Sequence, residues 1–70
     1  MSMSERIRIV LIKRKMTVTA LAERLNISPQ NLTNKLKRDN FTEGELREIA
    51  AAMDCTFEAA FALNDTGEKV

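Results

Sequence analysis

Between residues 30 and 38 the chain reads QNLTNKLKR, and its polar side chains form a chemically specific set. On a helix turning 100° per residue, Leu32 and Leu36 stack at i, i+4 and define a buried side. Gln30, Asn34, Lys37 and Arg38 then fall opposite, with Thr33 on one flank and Asn31 and Lys35 on the other. Gln and Asn amides pair a donor with an acceptor at the spacing of an adenine edge, while Lys and Arg read guanine or neutralise phosphate. A threonine hydroxyl donates to phosphate. Two leucines make a narrow anchor for a helix meant only for packing. The competing reading is a solvated face, since ordinary helix surfaces also carry Lys, Asn and Gln, and this stretch alone does not decide between them.

Other chemistries lack their residues. There is no histidine, so the commonest general base and the commonest zinc ligand are missing. The single cysteine, Cys55, sits in an apolar context (AAMDCTFEAAF) with no histidine to activate it, and reads as a buried structural thiol. One thiol forms no intrachain disulfide, which suits a reducing, cytoplasmic setting. We therefore expect neither an enzyme nor a metal or cofactor site, and no small-molecule ligand is evident. No apolar run approaches the roughly 20 residues of a membrane span. Ile9–Ile12 is too short for the apolar core of a signal peptide, so the N-terminal stretch reads as a first helix.

The elements that must hold the 30–38 stretch are marked by apolar period and by caps. Val18, Leu21, Ala22 and Leu25 fall at i, i+3, i+4, i+7, and Leu46, Ile49, Ala50 and Met53 repeat that spacing. Thr17, Ser28 and Thr42 are good N-cap residues. Each is flanked by an apolar pair at the spacing of a hydrophobic staple: Met16/Leu21, Ile27/Leu32 and Phe41/Leu46. Thr42 with Glu45 has the capping-box pattern, and Pro29 suits the first helical position after Ser28. These signals predict helices at about 4–15, 17–25, 28–38, 42–53 and 57–63. The expectation is an all-α, five-helix domain over 1–64 with a flexible polar tail at 65–70, and Ile9 and Ile12 covered by the last helix.

The stretch LAERLNISPQNLTNKL resembles the helix-turn-helix of the phage-repressor-like (Cro/repressor, xenobiotic-response-element) family, with the motif at 17–38. Ala22 is the small residue where two helices cross, flanked by Leu21 and Leu25. The turn residue follows four later, then apolar Ile27, then Leu32 in the second helix. Two positions depart from the family pattern. The turn holds Asn26 in place of the usual glycine, and asparagine is the best non-glycine occupant of a left-handed turn. The next apolar residue of the second helix is Leu36, where the family has one at the position of Lys35.

The resemblance implies a compact lambda-repressor-like fold in which 17–25 lies across the DNA backbone and 28–38 enters the major groove. It places Gln30, Thr33 and Asn34, with Asn31 beside them, at base edges. Thr17, Thr19, Lys35, Lys37 and Arg38 become phosphate contacts. Phe57, Phe61 and Leu63, late in the chain, are implied dimer contacts, against the simpler reading in which the phenylalanines close the core.

Net charge is +1, but residues 1–40 carry +6 and residues 41–70 carry −5. A chain so divided cannot rely on long-range attraction to DNA, so useful affinity calls for two copies on two half-sites. The leading expectation is a sequence-specific double-stranded DNA-binding transcriptional regulator, a repressor acting as a homodimer. The alternative is a helix-turn-helix scaffold whose acidic C-terminal half docks a basic protein partner. Single-strand binding is disfavoured, because that mode stacks bases on exposed aromatic rings and the chain has only three phenylalanines.

Overall fold

Each helix starts where a hydroxyl can take up an orphan backbone N–H. In the computed structural model, which describes residues 1–70, α1 spans Met3–Lys13, α2 Val18–Arg24, α3 Pro29–Arg38 and α4 Glu43–Ala52. Thr17, Ser28 and Thr42 are the N-caps of α2, α3 and α4, accepting from the N–H groups of Ala20, Asn31 and Glu45. The Thr42/Glu45 capping box is formed in both directions. Helix α1 has one too, from Ser2 and Glu5, so it begins a residue earlier than its apolar period suggested.

The helix ends share one device. Asn26 takes the left-handed turn with φ 60°, and Lys15, Asp39 and Asp54 do the same after α1, α3 and α4. At three of these ends the following N–H reaches back five residues: Met16 to the Leu11 carbonyl, Ile27 to Ala22 and Cys55 to Ala50. That bond satisfies a carbonyl the helix leaves unpaired, the Schellman pattern that glycine usually serves. An asparagine or aspartate adopts this conformation at less cost than a lysine does. Lys15→Gly should therefore stabilise the fold by about 0.5–1 kcal/mol, raising the thermal midpoint by about 4–8 °C per kcal/mol. Asn26→Gly should move it less. A lowered midpoint for Lys15→Gly in a calorimetric melt would show that no strain resides there.

The core is one cluster: Ile7 and Leu11 of α1, Leu21 and Ala22 of α2, Leu32 and Leu36 of α3, Leu46 and Ile49 of α4, and Met53 just beyond it. Leu21, Ala22 and Leu32 are wholly buried. Ala22 is a fully buried small residue in α2, which packs against α3 in this core. The Cys55 thiol, expected inside, is half-buried at the margin of this cluster and donates to the Met53 carbonyl. No helix is long and apolar enough to cross a membrane.

The fifth helix is not formed. Residues 54–60 run without helix, and 61–70 fold back as a short antiparallel ribbon bridged at Ala62 and Lys69. Phe61 and Val70 exchange both backbone hydrogen bonds at 2.8 and 2.7 Å, and the Leu63 N–H donates to the Glu68 carbonyl at 2.8 Å. A seven-residue helix is too short to persist without a core face to bury, and four helices already close this core. The stretch 65–70, expected as a loose tail, supplies the turn and return of the ribbon. Gly67 (φ 75°) and the Asp65 and Thr66 side chains, which accept from nearby N–H groups, shape the turn. Half-buried Phe57 packs against the core, as the simpler reading had it. Phe61 and Leu63 are exposed, and so are Ile9 and Ile12, which no last helix covers.

Candidate nucleic-acid interface

Ser28 caps α3, Pro29 opens it, and Leu32 and Leu36 bury its inner side. That leaves Gln30 and Asn31 exposed, with Thr33 and Asn34 half-buried beside them. Gln30 Nε2 donates to Asn34 Oδ1 at 3.2 Å, an exposed i, i+4 pair that links the two amides. The pair leaves the Gln30 carbonyl oxygen and one of its amide hydrogens free, which is the donor and acceptor an adenine edge requires. Lys37 and Arg38 are exposed in the last turn and have no ion-pair partner. Thr17 and Thr19 stand exposed at the start of α2. Thr17 Oγ1 accepts from the Ala20 N–H, and its own hydroxyl proton remains available to an acceptor.

Lys35 is placed differently from Lys37 and Arg38. Its side chain lines a hollow with Leu25, Ile27, Leu32 and Ile49 on one side and Glu45 and Glu48 on the other, and its ammonium pairs with Glu45 of α4. A long stem on apolar surface with its charge at the rim does the packing of an aliphatic residue. Lys35 thus stands in for the apolar residue expected one position before Leu36. Glu45 is held by that ammonium and by the Thr42 N–H, which together bring its carboxyl from the usual 4.5 down to about 2. Because the folded state holds the lower value, the stabilisation is fully present above about pH 4.5 and is lost as pH falls toward about 2. Glu45→Gln keeps an acceptor for the Thr42 N–H but removes the charge. Thermal melts across that window should show a shallower acid loss for the variant than for the parent. Parallel curves would mean the pair contributes nothing.

Two further cations are spent inside the fold. Arg14 donates from Nε to the Met53 carbonyl at 3.1 Å and from Nη2 to the Asp54 carbonyl at 2.8 Å. Arg24 donates from Nη1 to the Ala52 carbonyl at 3.0 Å. Helix α4 has no basic residue in its last turn, and these arginines supply the positive charge that its C-terminus favours. Of the cations in residues 1–40, this leaves Arg6, Arg8, Lys13, Lys15, Lys37 and Arg38 outside any ion pair or carbonyl cap. The charge count in the sequence could not separate the two groups.

The C-terminal end of α3 is anchored to α1. Buried Ser4 donates to the Leu36 carbonyl at 2.6 Å, and the Ser4 N–H donates to Asp39 Oδ1 at 2.7 Å. Two orphan groups, one at the start of α1 and one at the end of α3, are satisfied together. The polar helix is therefore clamped at both ends: by Ser28 and the α2 turn before it, and by Ser4 and Asp39 after it.

Comparison with known proteins agrees with this geometry. A family model described as Cro/C1-type HTH DNA-binding domain matches residues 6–65. No curated protein and no solved structure matches the chain.

Proposed function

The chain belongs to the Cro/C1-type helix-turn-helix DNA-binding domain family, and from that premise we propose a sequence-specific transcriptional regulator that represses by occupying an operator. Helix α3 enters the major groove, with Gln30, Asn31, Thr33 and Asn34 at base edges. Thr17 and Thr19 at the start of α2, and Lys37 and Arg38 at the end of α3, sit on the phosphates to either side. Lys35 reaches a phosphate only by leaving Glu45, which makes it the weakest of these contacts. Two copies bind two half-sites, and the setting is cytoplasmic.

The observation that carries the reading is the Gln30–Asn34 amide pair on the solvent side of a helix that only two leucines anchor. An exposed amide pair of this kind offers donors and acceptors for bidentate hydrogen bonding. The affinity to expect is modest for one copy. Each neutralised phosphate adds about one unit to the log–log salt slope, and few free cations flank α3.

Selection from a random duplex library at two salt concentrations tests this directly. The expected result is an enriched motif with two-fold symmetry, its half-sites about one helical turn apart. Salt-sensitive retardation without enrichment would make the chain a general DNA binder and sink the claim of sequence reading. No retardation at all would favour a protein-docking scaffold.

A further inference from the structure

We propose that the outer face of α1 is a docking surface for another protein, and that its partner is an acidic amphipathic helix. The surface is separate from the amide face of α3, and the proposal stands whether or not α3 reads DNA.

Apolar exposure supplies the first argument. Ser4, Ile7 and Leu11 turn one side of α1 into the protein. On a helix turning 100° per residue, Glu5, Ile9, Ile12 and Lys13 then fall on the opposite side. Ile9 and Ile12 stand at i, i+3, so they are neighbours on that surface. Ile12 is 76 % and Ile9 38 % exposed. Apolar residues scattered singly over a surface are ordinary. Two adjacent isoleucines make a ridge instead, and no later segment of this chain covers it.

Charge supplies the second argument, and it selects the partner. Of the six cations in residues 1–40 that no ion pair or carbonyl holds, four lie on α1 or just after it: Arg6, Arg8, Lys13 and Lys15. Arg8 stands one turn before Ile12 and Lys13 one turn after Ile9, so a cation borders each isoleucine. The one acid of the helix, Glu5, is occupied in the cap, where it accepts from the Ser2 N–H and hydroxyl.

An apolar ridge between cations is complementary to a helix that carries apolar residues at i, i+3 or i+4 with Asp or Glu on either side. Two helices pack by fitting such ridges into each other's grooves. The isoleucines would supply burial, and the charges would steer the encounter and set its orientation. Other occupants fit less of the pattern. A DNA backbone would take the cations and leave the isoleucines without a use. A lipid surface would also take the cations, but its hold grows with buried apolar area, and two isoleucines offer little.

The probe is a synthetic helical peptide with leucine along one face, at three- and four-residue spacing, and glutamate on the others. Titrated into the full chain and followed by amide NMR, it should shift α1 most and leave α3 unmoved. Ile12→Ser changes an exposed position, so it should keep the helical signal while weakening peptide binding about tenfold or more. Arg8→Gln with Lys13→Gln should weaken binding too and flatten its dependence on salt. The same peptide with lysine for glutamate should not bind. The proposal is overturned if the acidic peptide shows no saturable binding at millimolar concentration. Equal binding of the lysine peptide overturns it as well, and so do shifts that map away from α1. Sedimentation, duplex retardation and flotation with phosphatidylglycerol vesicles, each on parent and Ile12→Ser, separate the other occupants. Ile12→Ser should change none of the three. A self-association, duplex affinity or vesicle binding that falls in Ile12→Ser would assign the face to a second copy, to DNA or to lipid.

Discussion

Replacing Gln30 and Asn34 together with alanine is expected to erase sequence preference and leave the helical fold intact. Neither side chain enters the core, so the helical signal and the thermal midpoint should stay near those of the parent. A bidentate amide contact is worth about 1–3 kcal/mol of discrimination, roughly 5- to 150-fold between right and wrong base. The two positions are hydrogen-bonded to each other, so their effects should not add. Gln30→Ala alone frees Asn34 from its partner, and Asn34→Ala alone lets Gln30 swing, so each single change should cost more than half of the double. General affinity, which the proposed reading assigns to Lys37, Arg38 and the threonines of α2, should persist with an unchanged salt slope. The measurement is competition between a selected duplex and a scrambled one of the same length. A ratio as high for the double variant as for the parent would move base reading to other residues.

The parts of the fold legible in the sequence were those written in local chemistry. Thr17, Ser28 and Thr42 announced three helix starts, Asn26 announced the turn, and the matched residues 6–65 carry the family suggested by Ala22, Asn26 and Leu32. Local chemistry also misled. FEAAFAL has helical propensity and spacing, yet residues 61–70 prefer a ribbon because Asn64-Asp65-Thr66-Gly67 is a strong turn and no core face remained for a helix. The turn signal was present and was outweighed by the apolar period. The Ser2/Glu5 capping box was likewise present, three residues apart as such boxes require.

What no local pattern could show were the long-range uses of single polar groups. Arg14 and Arg24 lie 39 and 28 residues from the carbonyls of Met53 and Ala52 that they cap, and Ser4 lies 32 from Leu36. On the candidate surface the outward placement of Gln30 and Asn31 followed from the helix wheel. The retreat of Lys35 to Glu45 did not, because it depends on how α4 crosses α3.

The other large effect concerns the anchor under that surface. Leu32→Ala is expected to unfold the domain or bring it to the edge of unfolding. Leu32 is wholly buried, and truncating a buried leucine to alanine costs about 2–5 kcal/mol. A single core in a chain of this size rarely supplies more than about 3–5 kcal/mol in all. The loss falls where α3 has least to spare, since only Leu32 and Leu36 hold it from within. Leu36→Ala should cost less in practice, because Ser4 and Asp39 still tether that end of the helix to α1. Leu32→Met keeps the volume and should cost under about 1.5 kcal/mol, which separates loss of packing from loss of a particular shape. Chemical denaturation read by helical circular dichroism ranks the three variants, with DNA retardation measured beside it. Leu32→Met should be the mildest, then Leu36→Ala, then Leu32→Ala, and retardation should fail only where the helical signal fails. A Leu32→Ala chain that unfolds at the parent's denaturant midpoint would mean that α3 is held by its polar tethers rather than by the core.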